Sequence, residues 1–158
     1  MGDQIIVFSI RYLPFLIAII AVGFVLLGGL RQQIKEILLM TAVSIGIALT
    51  LDKVLNVIFY SPRPFVVENI SPLIPHVADN GFPSEHTLLA MMIAGIVFVY
   101  HKKMGIFLLW LAIAVGLGSV FAKVHHNIDI LGSVGIATAS IFTSWYFVNK
   151  IHSKESTG

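Results

Sequence analysis

The chain has 158 residues, of which 57% are hydrophobic and 11% charged, with a mean hydropathy of +0.92 and a formal net charge of +2. This balance excludes an ordinary soluble domain, predicts one integral-membrane domain over residues 1–158, and leaves no basic surface that asks for a nucleic-acid partner. Cysteine is absent, which removes disulfides and thiol chemistry.

In chain order, residues 3–12 (DQIIVFSIRY) are too short and too polar to span and read as an interfacial helix. They also lack the basic, apolar and small-residue order of a signal peptide. Five apolar runs follow, at 13–30, 37–59, 87–100, 106–124 and 130–148. A bilayer core about 30 Å thick asks for roughly 18 or more such residues per helix. The third run is short and is expected to begin near Ser84, a good N-cap following Pro83. Before it, residues 60–83 hold five of the six prolines, which forbids a continuing helix and predicts a folded cap. Gly116, Gly118, Gly132 and Gly135 are expected to let helices approach closely. The fold class expected is therefore all-α: a polytopic membrane bundle of about five transmembrane helices, an N-terminal interfacial helix and an extracytoplasmic loop cap.

If the five spans alternate, Arg31, Lys35, Lys102, Lys103, Lys150 and Lys154 share one side, and Arg11, Lys53, Arg63 and Lys123 the other. The positive-inside rule makes the first side cytoplasmic. Segments 60–85 and 123–129 then meet on the outer side, and between them they carry most of the residues capable of chemistry.

Lys53 and Arg63, with Ser84 and the helix start at residues 84–86, make a receptor for an anion such as phosphate. His125 stands four residues before Asp129, so a carboxylate can orient an imidazole over one helical turn, as a nucleophile or base requires. His86 is a separate imidazole able to protonate a leaving oxygen. Glu85 suits the first turn of a helix and can also tune His86. Lys53 and Lys123 suit snorkelling to the interface as well as phosphate binding. His126, His76 and Asp79 read as loop residues, and the histidines lack the helical pair spacing or the cysteines of a metal site.

The stretches KVLNVIFYSPRP, PSEH and HHNID resemble the three signatures of the type-2 phosphatidic acid phosphatase superfamily. Within it, SPRPFV, LIPHVAD and FPSEHT most resemble the bacitracin-resistance type of undecaprenyl diphosphate phosphatase. The resemblance covers roughly residues 45–135 and implies a phosphatase that needs no metal or other cofactor and works through a phosphohistidine. It implies that His125 attacks phosphorus, that Asp129 orients it and that His86 protonates the leaving lipid phosphate. Lys53, Arg63, Ser84 and local backbone N–H groups would hold the phosphoryl oxygens.

Two positions depart from the family pattern. Asn56 stands where the Lys of the first signature is usual, with Lys53 about one turn earlier; Ser119 stands where the third signature has Arg. If its helix extends far enough, Lys123 can reach back over Ser119, although one ammonium does not reproduce the fork of an Arg.

The function expected is hydrolysis of the terminal phosphate of undecaprenyl diphosphate, recycling the carrier lipid of cell-wall synthesis at the outer face of a bacterial plasma membrane. The partners expected are the lipid substrate and membrane lipids. Two alternatives stay open: the same chemistry on another lipid phosphate, such as phosphatidylglycerophosphate or phosphatidic acid, and a non-catalytic lipid-phosphate binder or carrier, which Ser119 motivates.

Overall fold

The computed structural model describes residues 2–155, with side chains to residue 150, so Lys154 lies outside the described side chains. Its regular structure is helical, apart from one isolated bridge between Pro62 and Asn80. Helix α1 (Gly2–Arg11) meets α2 (Leu13–Phe24) at a bend of 50°. Pro14 sits in the first turn of α2, where its missing N–H costs nothing. A π turn (Val25–Gly29) extends α2 until Gly28, at φ 126, ends it; few side chains tolerate that backbone conformation. A 3-10 turn (Arg31–Gln33) then leads into α3 (Ile34–Ile58). The remaining helices are the short α4 (Pro64–Val67), α5 (Glu85–Tyr100), α6 (Lys102–Phe121) and α7 (Asn127–Glu155).

The sequence suggests about five spans, the third of them short, and the structure distributes them unevenly. Arg31–Ile58, Lys102–Phe121 and Asn127–Lys150 are long and apolar enough to cross a membrane, and the bent pair α1–α2 makes a fourth candidate. Helix α5 has 16 residues, which at about 1.5 Å per residue falls short of a bilayer core. Its position explains how a short helix suffices. It packs against α2, α3, α6 and α7 and buries Thr87, Ala90, Met91, Met92, Ala94 and Val97, so other helices surround it where a lipid-facing span would meet the bilayer. Its N-terminus can begin below the bundle surface, because irregular backbone at that depth is tolerated when it lines a polar cavity.

Packing follows membrane rules. Leu49, Phe107, Trp110, Leu131 and Phe142 face outward, while the α3–α7 seam holds a buried hydrogen bond between the Ser44 and Ser144 hydroxyls (2.8 Å). A Cβ at Gly116, Gly118 or Gly132 would collide with Ile130, Ser9 or the Phe82 ring, as expected of close approach, whereas Gly135 faces open space.

Because the helices alternate in direction, the end of α3, the start of α5, the end of α6 and the start of α7 meet at one end of the bundle. The connection 59–84 folds over this end as the expected cap. Asn80 fastens it: its amide nitrogen donates to the Asn56 and Phe59 carbonyls (both 2.8 Å), while its Oδ1 accepts from the backbone of Ser61 (2.9 Å) and Phe82 (3.1 Å). One side chain thereby caps the final carbonyls of α3 and fixes the start of the loop.

Candidate active site

Beneath the cap lies a polar pocket of about 330 Å³. Of the residues singled out in the sequence, Arg63, Glu85, His86 and His125 line it. Asp52, Asn56, His76, Asp79 and Asn80 complete its polar wall.

His125 owes its position to how α6 ends. After Ala122 the chain turns at Lys123, whose φ of 61 is left-handed, and the N–H groups of Val124 (3.1 Å) and His125 (3.2 Å) return to the Ser119 carbonyl. This is the usual way to close a helix C-terminus, and it delivers His125 to the pocket wall. Helix α7 then starts with half a capping box, in which Asp129 Oδ2 accepts from the His126 N–H (2.8 Å).

The His125 ring is almost fully buried and held from both sides. Its Nδ1 faces the Gly81 carbonyl at 2.9 Å and Asp129 Oδ2 at 3.5 Å, and its Nε2 lies 3.3 Å from Arg63 Nη1. A guanidinium only donates, so Nε2 is the acceptor and Nδ1 carries the proton. The expected carboxylate is therefore present, but it shares the orienting role with a backbone carbonyl that sequence reasoning did not find. Gly81 comes this close because it lacks a side chain: a Cβ there would stand 3.1 Å from Asp129 Oδ2 and 3.2 Å from the Ser61 carbonyl.

Arg63 is buried and joins the cap to the His125 segment. Its Nε donates to Asp79 (2.7 Å) and its Nη1 to the Val124 carbonyl (3.1 Å). This hydrogen bond and charge hold the Asp79 carboxyl below its ordinary pKa, against a smaller upward push from burial. Across the pocket, His86 and Glu85 project from the first turn of α5. His76 descends from the cap, its ring centroid 6.4 Å from that of His125. Burial holds the His76 pKa below the usual histidine value, helped by the nearby Arg63, His125 and His86 and opposed by the backbone at Ile74.

Four expected phosphate ligands do not reach the pocket. Lys53 is exposed outside it, because the face of α3 turned to the site carries Asp52 and Asn56, one helical turn apart. Lys53 lies about 100° round the helix from Asp52, so the one-turn substitution inferred from sequence chooses the wrong side of the stripe. Ser84 occupies the N-cap position without capping; its buried hydroxyl pairs with that of Thr87 (3.0 Å). The Ser119 hydroxyl donates back to the Val115 carbonyl (3.0 Å) inside α6. Lys123 does not lean over Ser119, since α6 has already ended and its ammonium pairs with Glu68 on the surface (2.9 Å). Conversely, His76, Asp79 and Asp52 stand in the pocket although nothing local in the sequence separates them from loop or helix-end polarity. His126, also read as a loop residue, anchors to the Pro62 carbonyl through Nε2 (3.1 Å). Among the described residues, no three His, Asp or Glu side chains group with the geometry to hold a metal.

This arrangement can present one imidazole lone pair to an electrophile, supply a second imidazole for proton transfer, and offer a guanidinium to an anion beside them. Residues 37–153 match the PAP2 superfamily. The chain is 30% identical over 135 residues to the undecaprenyl-diphosphatase BcrC of Bacillus subtilis (strain 168), covering 85% of this chain and 69% of that protein. It is equally similar, 30% over 149 residues, to the bacitracin transport permease protein BcrC of Bacillus licheniformis, covering 92% of this chain and 71% of that one. Among solved structures, LpxE of Aquifex aeolicus superposes with a TM-score of 0.65 at 22% identity, over 90% of this chain and 93% of that one, which shows a shared fold. The sequence signatures and the family match over most of its length agree, and the chain belongs to the PAP2 superfamily of membrane lipid phosphatases.

Proposed function

We propose that the protein hydrolyses the terminal phosphate of undecaprenyl diphosphate without a metal ion, through a phosphohistidine on His125. The observation that carries this reading is the commitment of His125 Nδ1–H to Gly81 and Asp129, which leaves the Nε2 lone pair as the reactive position at the pocket wall.

Arg63, whose Nη1 lies 3.3 Å from Nε2, turns its free donors to the phosphoryl oxygens when an anion enters. Nε2 then forms a bond to the terminal phosphorus as the bond from phosphorus to the bridging oxygen breaks. His86 passes its proton to that oxygen, and undecaprenyl phosphate leaves. In the second half, His86 takes a proton from water; the water oxygen attacks the phosphohistidine, the N–P bond breaks, and phosphate and free His125 are restored. Asp129, buried and hydrogen-bonded to the start of α7, stabilises the positive charge that His125 acquires in each half.

The substrate assignment is supported by the activity in the name of the Bacillus subtilis relative. An extracytoplasmic site in a bacterial plasma membrane is supported by Arg31, Lys35, Lys102, Lys103 and Lys150, all placed at or beyond the helix ends opposite the pocket. The test is phosphate release in detergent with EDTA present, from undecaprenyl diphosphate, phosphatidylglycerophosphate and phosphatidic acid, beside His125→Ala. EDTA-resistant release that prefers the diphosphate and vanishes in the variant is expected. Preference for a monophosphate lipid would move the assignment within the same chemistry, and binding without turnover would make the protein a lipid-phosphate binder.

A further inference from the structure

The pocket has an imbalance of charge for a site that must take a phosphate. Asp52, Asp79 and Glu85 line it, and among the described residues Arg63 is the one Lys or Arg in its lining. Arg63 is already paired with Asp79 at 2.7 Å. Lys53 and Lys123 stand outside, the latter paired with Glu68. A phosphate or diphosphate entering this pocket therefore meets two further carboxylates, Asp52 and Glu85, which no salt bridge among the described residues ties down, and like charges at such range oppose binding.

The remaining lining groups able to supply positive charge are the three imidazoles. His125 must keep its Nε2 lone pair to attack, and His86 must release a proton to the leaving oxygen, so neither can hold a lasting charge. His76 carries no such demand. It hangs from the cap above the reacting histidine, and its buried Nδ1 makes no hydrogen bond of ordinary geometry. A buried ring nitrogen left in that state at a polar pocket signals a missing partner.

We propose that His76 takes up a proton when the anion enters and, as an imidazolium, holds a non-reacting oxygen of the terminal phosphate, giving the pocket the cation that its lining lacks. The inference rests on the hydrolase reading only for the identity of the anion. The groups that face His76 set the sign. Burial disfavours its protonation, as do Arg63 from the start of α4, His125 before α7 and His86 from α5. Asp79 on the same loop, Asp52 on α3 and Glu85 on α5 line the pocket with the opposite charge. An incoming anion tips the balance, so anion affinity rises as pH falls.

Sulfate is the probe, because it stays a dianion between about pH 6 and pH 8.5 and adds no titration of its own. Its affinity for the purified protein in detergent, measured by calorimetry across that range, is expected to rise about tenfold per pH unit for each proton taken up. In His76→Gln the slope should drop by about one proton and binding near pH 6 should weaken about tenfold or more. His76→Arg, which carries a fixed charge, should restore tight binding at the alkaline end and flatten the slope. With the lipid diphosphate, His76→Gln should raise KM much more than it lowers kcat.

An unchanged slope and affinity in His76→Gln overturn the proposal, as does an Arg variant that binds as weakly as the Gln variant, or a wild-type protein that takes no sulfate at any pH. The two readings fail separately. Sulfate binding that follows His76, in a protein that turns over no lipid phosphate, keeps His76 and removes the hydrolase. Normal KM and pH dependence for lipid hydrolysis in His76→Gln do the reverse.

Discussion

The two walls of the pocket are built to different standards. The wall from Lys123 to Asp129 is rigid: a left-handed turn, two backbone bonds to Ser119 and a carboxylate cap leave the His125 ring almost no freedom. The wall formed by α3, where the family's first cation is expected, offers Asp52 and Asn56 instead, and the Arg position of the third signature holds a serine that bonds inside its own helix. A nucleophile needs one lone pair aimed within a few tenths of an ångström, so its supports cannot drift; positive charge for a phosphate can come from several directions at similar distance. With His125 as the proposed nucleophile, chemistry pins its wall and asks less of the other.

The strongest way to break this contrast is to remove the pinned side. His125→Ala should reduce phosphate release by about a thousandfold or more, with no acid-labile phosphoprotein trapped after quenching. His86→Ala should cost about a hundredfold to ten-thousandfold on the lipid substrate and less on a phosphate ester whose leaving group needs no proton; equal losses on both would remove it as the acid. Arg63 belongs to both walls. Arg63→Lys keeps the charge but loses the fork to Asp79 and Val124, so a fall of about tenfold to a thousandfold in kcat/KM is expected, and full activity would contradict the anion role given to it.

The two cations whose side chains lie outside the pocket should tolerate truncation. Lys53→Ala on α3 and Lys123→Ala, whose ammonium turns to Glu68 on the surface, should each alter kcat/KM by less than about threefold, as exposed charges usually do; a large loss in steady-state assays would return either to the phosphate site. The smallest effect expected is at Asp79. Arg63 lowers its pKa below 3.8, so the pair adds stability above that pH and loses it as pH falls through the lower folded value. Thermal unfolding should therefore separate wild type from Asp79→Asn at neutral pH and bring them together in acid.

Much of this fold was legible because lipid imposes a simple rule on sequence. Apolar runs of sufficient length mark α2, α3, α6 and α7, and five prolines mark the cap. The modest length of α5 was visible too, but not its reason, since nothing in residues 85–100 says that other helices surround it. At the candidate site, the structure brings Arg63, His86 and His125 into one pocket with Asp129 beside His125, a grouping suggested by local spacing and compact motifs. Lys53 misled because one residue along a helix is about 100° of rotation, and apolar periodicity is too weak near a helix end to fix the phase. Ser84 misled in another way: its place before α5 was right, but its hydroxyl turns into the protein to meet Thr87.

The sequence by itself determined that this is a membrane-embedded all-α chain with two histidines and an arginine gathered on one side, since span length, charge and motif spacing are properties of the chain taken in order. The tertiary structure alone decided which groups face the polar pocket. Gly81 meets His125 across 44 positions and His76 meets it across 49, by way of a loop whose course depends on Asn80 clasping the end of α3. Contacts at that separation arise from how the cap folds back on the bundle, and no local preference encodes them.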